Sequence, residues 1–117
     1  MASSPAASSP ALPLYKIHAS VTKNGDTHPD IEMTVNGSTS RMSIPFASNH
    51  TAYYLAVLNC IVDAVAAGHP GIQVEMGDQT VGRQLLGTEA PKQRHTAALL
   101  AAVESAARAL PRGVHPV

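Results

Sequence analysis

The chain is poor in the residue types on which most small-domain chemistry rests. Of 117 residues one is cysteine, none is tryptophan, 3% are aromatic and 14% are charged. With Cys60 alone no intrachain disulfide forms, and a reducing compartment is the simpler setting. A core without tryptophan is built from Ala, Val, Leu, Ile and Met, which bury less area per residue; Cys60 itself reads as a small core residue on a helix. Eight basic and eight acidic side chains give a formal charge of +0, which argues against wrapping nucleic acid or coating an anionic membrane by bulk charge. A local basic patch stays open. No run approaches the roughly 18 consecutive apolar residues of a membrane span. Met1 to Pro13, MASSPAASSPALP, has neither the basic nor the apolar region of a secretory signal. These absences predict a cytoplasmic protein with no membrane partner, in which the sequon Asn49-His50-Thr51 has no bearing.

What is present divides the chain in two. Residues 1–13 are Ala, Ser and Pro with little bulk to bury, which predicts a disordered tail, and 14–117 read as a single domain. Leu14, Ile17, Ala19 and Val21 interleave with polar residues as a first strand, and Asn24-Gly25-Asp26 supplies a turn. Ile31, Met33 and Val35 alternate up to Asn36-Gly37, the strongest short hairpin signal, and Arg41 to Phe46 answers as a third strand with Pro45 near its end or on the sheet edge. Ser48 or Asn49 then caps a helix over Thr51–Ala67, with Tyr54, Leu58, Ile61, Val62 and Val65 at helical spacing and Gly68 as its stop. Ile72 to Met76 is a short strand, parallel to an earlier one because a helix intervenes. A second helix follows from Gln79 to Leu86, ended by Gly87. A third runs from His95 to Leu110, with Leu99, Ala102, Val103, Ala106 and Leu110 on one face. The order is βββαβαα, with Val114-His115-Pro116-Val117 as no more than a stub of a further strand.

An α/β plan of this order, with helices covering a mixed sheet, resembles the ribonuclease H-like fold. Two stretches carry the comparison. Asn49-His50-Thr51-Ala52-Tyr53-Tyr54-Leu55-Ala56-Val57 is similar to the family's Asn-x-x-Ala-Glu-x-x-Ala helix start, and Asp78-Gln79-Thr80-Val81-Gly82-Arg83-Gln84-Leu85-Leu86-Gly87 looks like the segment after its fourth strand. The resemblance implies a cluster of carboxylates holding two divalent metal ions that activate water against a phosphodiester. It places those acids on the first strand, the first helix, the end of the fourth strand and near the C-terminus. Here those places hold His18, Ala19 and Ser20, then Tyr53, then Gly77 or Asp78, and no acid beyond Leu110. One carboxylate cannot assemble a two-metal site, so the resemblance implies a degenerate member without catalytic residues.

Asp78 therefore has two readings, a remnant metal ligand or the N-cap of the helix that starts at Gln79. Glu75, three residues earlier, points to the other sheet face and cannot easily share a metal with it. The six histidines, His18, His28, His50, His69, His95 and His115, show no pair at zinc-site spacing. No nucleophile elbow or phosphate-loop motif is present. Arg83, Lys92, Arg94 and Arg108 make the C-terminal third basic, and read either as nucleic-acid contacts or as a solvated face that Glu89 and Glu104 dilute. Tyr53 and Tyr54 are adjacent on a helix, which predicts one in the core and one exposed as an anchor for a partner chain.

The expected function is a non-catalytic ribonuclease H-like binding module. Its partner would be another protein, its own copy through an edge strand or the Ala-rich last helix, or nucleic acid. No cofactor is required for that reading. The alternative is a degenerate nuclease using magnesium or manganese on Asp78 with Glu75 or Asp63.

Overall fold

The computed structural model of the chain describes residues 11–22, 30–43 and 48–117. Most of the expected tail, the Asn24-Gly25-Asp26 turn and the place of Pro45 lie outside the described residues. The elements are β1 (Leu14–Thr22), β2 (Asp30–Val35), β3 (Ser38–Ser43), α1 (Asn49–Ala67), β4 (Gly71–Met76), α2 (Gln79–Leu86), α3 (Arg94–Ala107) and β5 (Gly113–Pro116). The βββαβαα order holds and gains a strand. The expected stub is β5, which adds to the sheet parallel to β4.

The sheet order is β3-β2-β1-β4-β5, antiparallel across β1, β2 and β3 and parallel across β1, β4 and β5. Each pairing has a local cause. Asn36 and Gly37 take positive φ of 50° and 87°, the two-residue turn whose twist matches a β2–β3 hairpin. Asn36 also ties that turn to β1, its Oδ1 accepting from the Lys16 N–H at 2.8 Å. The α1 crossover brings β4 back parallel to β1. At Gly71 a Cβ would lie 2.9 Å from both the Arg112 Cβ and the Gly113 carbonyl oxygen, so the close seating of β5 requires glycine there.

One face of the sheet carries the core: Tyr15, Ile17 and Ala19 of β1, Ile31 and Met33 of β2, Ile72 and Val74 of β4. Leu14, expected inward, is exposed and Tyr15 is buried instead, because side chains alternate strictly and Leu14 differs in parity from Ile17. The opposite face presents Lys16, His18 and Glu75 to solvent.

Helix α1 lies across β1, β2 and β4. Ser48 is its N-cap, with Oγ accepting from the Thr51 N–H at 3.2 Å, and Gly68 closes it in the left-handed region. Its buried stripe runs through Ala52, Tyr53, Ala56, Val57, Cys60, Ile61 and Ala64, where small residues let the helix approach the sheet closely. Val62 and Val65, expected in the core, are 65% and 46% exposed, since they fall on the far side of that stripe. His50–Ala67 is long and apolar enough to cross a membrane by length and composition, contrary to the sequence expectation; half of it is buried here as the core helix.

Helix α2 has Asp78 as N-cap and Gly87 as C-cap. Helix α3 starts at Arg94 and ends three residues before the expected Leu110, because Pro111 has no N–H to extend the ladder and restrains the residue before it. Leu110 still reaches the core, while Ala102, expected on the inward face, is exposed.

Candidate functional site

Parallel strands β1 and β4 lead toward one end of the sheet, the end where open α/β sheets gather ligands. A broad cleft of about 690 Å³ lies there, lined by His18, Ala19 and Ser20 of β1, Tyr53 of α1, and Gly77, Asp78 and Gln79 at the β4–α2 junction. Tyr53 reaches so far in that a Cβ on Gly77 would sit 3.4 Å from its hydroxyl. Asp78 is the one carboxylate in this lining, and both its oxygens are engaged. Oδ1 accepts the Val81 N–H at 3.2 Å, the N-cap reading of the sequence, and Oδ2 lies 3.4 Å from His50 Nε2. Magnesium and manganese are hard ions that take several oxygen ligands. A single carboxylate already capping a helix does not fit a pair of them. Glu75 projects on the other face of the sheet, and Asp63 accepts the Tyr15 hydroxyl at 2.6 Å near the opposite end of α1, so neither joins Asp78. Among the described residues no three His, Cys, Asp or Glu side chains come together as a metal site.

His50 also borders a second cleft, of about 350 Å³, with Thr80, Gln84, Glu89, Lys92, Gln93 and Thr96. Its polar wall is buried: Gln84 is 5% exposed and Thr96 4%. Gln84 Oε1 accepts the Tyr54 hydroxyl, which leaves the amide NH₂ as the end of that side chain available to the cleft. Burial, then the nearby charges of Asp78, Glu104 and Glu89, push the Tyr54 hydroxyl up to about 12, so it stays a neutral donor. The same cleft receives the N-terminus of α3. Gln93 makes no side-chain cap, the first turn holds no acid, and the bond from the Ala97 N–H to the Gln93 carbonyl opens the helical ladder. The N–H groups of Arg94, His95 and Thr96 therefore precede that ladder, at the positive end of the helix dipole. Donors converge here on a space suited to an anion.

The residues singled out in the sequence are only partly brought together. Lys92 lines the second cleft and Arg94 opens α3 beside it, both exposed. Arg83 stands on α2 but is held, donating through Nε to Glu89 at 2.9 Å and through a terminal nitrogen to Thr80 at 3.3 Å. Arg108 is the C-cap of α3, about 20 Å from Arg94 at 1.5 Å per residue, so the four do not form one patch. Tyr53 and Tyr54 correct the expectation of an exposed anchor: they are 6% and 0% exposed, because the stripe α1 buries spans neighbouring positions. Cys60 is the expected core residue, its thiol pushed up to about 12 by burial and by Asp63. Gln84 and Thr96 were missed. Both keep helical spacing with core residues, Gln84 three after Val81 and Thr96 seven before Val103, and that periodicity was their signal.

No family model matches the sequence, and no curated protein does. Solved structures do. The N-terminal RNase H domain of a Mycobacterium tuberculosis protein, solved as a fusion with maltose-binding protein, superposes with a TM-score of 0.66 at 20% identity, over 89% of this chain and 81% of that one. The chain has a ribonuclease H-like fold. LC11-RNase H1, a compost metagenome protein solved in complex with an RNA/DNA hybrid, gives a TM-score of 0.65 at 17% identity over 88% and 83% of the two chains. RNase H1 of the halophilic archaeon Halobacterium salinarum gives 0.54 at 19% identity over 89% and 85%. In this ribonuclease H-like fold the first cleft sits at the mouth of β1 and β4, and the second lies beside it beyond His50.

Proposed function

We propose that this ribonuclease H-like domain binds the phosphate backbone of nucleic acid without cutting it. The donor-rich cleft at the start of α3 carries the reading. Lys92, the Gln84 amide, the Thr96 hydroxyl and the α3 N-terminus face one space, and Glu89, the one acid in the lining, is offset by its ion pair with Arg83, so the cleft suits a phosphate better than any apolar ligand. The fold favours nucleic acid as the source of that phosphate, since one similar structure holds an RNA/DNA hybrid. The absence of cutting rests on the first cleft, where Asp78 caps α2 and Tyr53 fills the space over Gly77, so no two-metal step has ligands.

Fluorescence anisotropy with a labelled RNA/DNA hybrid and with single-stranded DNA at low salt tests the reading. Binding should weaken with salt at a log–log slope of about −2, two phosphate contacts in all. The probe should stay intact in magnesium or manganese. No binding at low salt removes the proposal, and metal-dependent cleavage lost on Asp78→Asn restores the nuclease alternative.

A further inference from the structure

The outer edge of β3 is open in a way that single-chain proteins usually avoid. All six residues from Ser38 to Ser43 are exposed, so the strand is uncovered on both faces. Its pairing with β2 runs through six consecutive residues without a bulge, and it contains no proline or lysine, the usual devices that blunt an edge. Its one charge, Arg41, is turned to β2, 2.8 Å from Glu32.

The hairpin fixes which backbone groups point outward. Val35 and Ser38 flank a two-residue turn and form the first hydrogen-bonded pair, so Ser38, Ser40 and Met42 bond inward to β2. The N–H and C=O of Thr39 and Arg41 point out, as do those of Ser43 at the strand's end, which a register centred on Ser40 leaves outside the ladder. Two outward residues separated by one are self-complementary. An antiparallel copy with its two-fold axis at Ser40 sets Thr39 against Arg41 of the copy, twice, for four backbone hydrogen bonds. No like charges face each other in that register.

The same register supplies an apolar fit. Met42 opposes Ser38 of the copy, and Ser38 lines a cleft of about 380 Å³ between β3 and α1, with Ser40, Asn59, Cys60 and Asp63. Met42 is 41% exposed, unbranched and free to bend into such a space. Each copy thus brings a knob to the other's hole. A molecule of formal charge +0 raises no long-range barrier to meeting its copy.

We propose that β3 is the interface of a symmetric homodimer, in which two five-stranded sheets join edge to edge through an antiparallel β3–β3 ladder and each Met42 enters the β3–α1 cleft of its partner. The surface lies across the sheet from the α3 cleft, so nucleic-acid binding and dimerisation stand or fall separately.

Analytical ultracentrifugation of the full chain over a concentration series reads the mass, and oxidative cross-linking reads the register. The mass should climb from 12.2 kDa toward twice that value. Thr39→Pro removes an outward donor and leaves the inward ladder bonds in place; it should weaken association at least about tenfold, the effect of two lost hydrogen bonds. Ser40→Cys places thiols on a close, non-hydrogen-bonded pair and should cross-link readily, whereas Thr39→Cys and Arg41→Cys, offset from the axis, should not. A constant 12.2 kDa mass overturns the proposal. So does cross-linking at position 40 no faster than at 39, or a Thr39→Pro protein that keeps its native circular dichroism and associates as before.

Discussion

Two clefts flank the His50–Asp78 pair and differ in what their side chains have left to offer. In the first, Asp78 gives one oxygen to the Val81 amide and the other to His50, and Tyr53 occupies the space above Gly77. In the second, Gln84 uses only its carbonyl end, on Tyr54, and the first turn of α3 lacks a side-chain cap. The first lies at the C-terminal ends of β1 and β4, where open α/β sheets gather ligands, yet its one carboxylate is already engaged at both oxygens. The second has donors in excess, since Glu89, the one acid in its lining, is engaged by Arg83 through Oε1. A site is defined by hydrogen-bonding capacity that folding leaves unmatched, and by that measure the α3 cleft is the place to look.

The harshest way to break this arrangement is alkali, because Tyr54 is buried behind the second cleft, donating to Gln84. Its hydroxyl is raised from an ordinary 10.0 to about 12, first by burial, and the Cys60 thiol from 9.0 to about 12, also by burial. Both groups are neutral when protonated, and the folded state holds those protons more tightly than the unfolded chain. Their stabilisation is therefore complete below about pH 9 and is lost as the pH rises toward 12, at about 1.4 kcal/mol per pH unit for each group. Unfolding free energies from urea titrations should fall by about 3 to 4 kcal/mol between pH 8 and 11. A flat profile would mean that Tyr54 and Cys60 are not buried in the core.

A gentler break acts on one cleft alone. Joint Lys92→Glu and Arg94→Glu should weaken hybrid binding about 100-fold, close to 2.7 kcal/mol, and flatten the salt slope by about 2. His18→Ala at the first cleft should leave binding within about twofold. Equal losses at the two clefts would erase the distinction between them. Smaller again, Tyr54→Phe deletes the donor to Gln84 Oε1 and strands a buried acceptor, at a cost of about 1 to 3 kcal/mol in urea unfolding. The same variant should lose part of the alkaline slope, because one of the tightly held protons is gone.

Much of the fold was legible because it is written in local chemistry. Asn36-Gly37, Ser48, Gly68, Asp78 and Gly87 each mark a turn or a helix end that depends on a few neighbouring atoms, and each acts as expected. What escaped depends on distant partners. β5 is four residues long and exists through its pairing with β4 and the space at Gly71. Val62 and Val65 are more apolar than Ala64, yet the seating of α1 on the sheet buries the alanine and leaves the valines exposed. The same holds for the site. Asp78 could be read as a cap from its position alone, whereas Gln84 and Thr96 lie twelve residues apart on separate helices and share a cleft only because α2 and α3 pack together.

The mildest test separates a cap from a ligand at Asp78. Asp78→Ala removes the oxygen that holds the Val81 N–H, which should cost about 1 kcal/mol of stability, and Asp78→Asn, which keeps a capping oxygen, should recover most of it. A metal ligand gives the opposite pattern: asparagine, with no charge, would hold the ion little better than alanine, and added magnesium would stabilise the wild type over both. Thermal melts of the three proteins with and without magnesium distinguish the cases. Equal shifts on adding the ion to all three agree with a cap, because an ion that does not bind through residue 78 acts on the three proteins alike. A rise confined to the wild type would place a cation in the first cleft and reverse the ranking of the two.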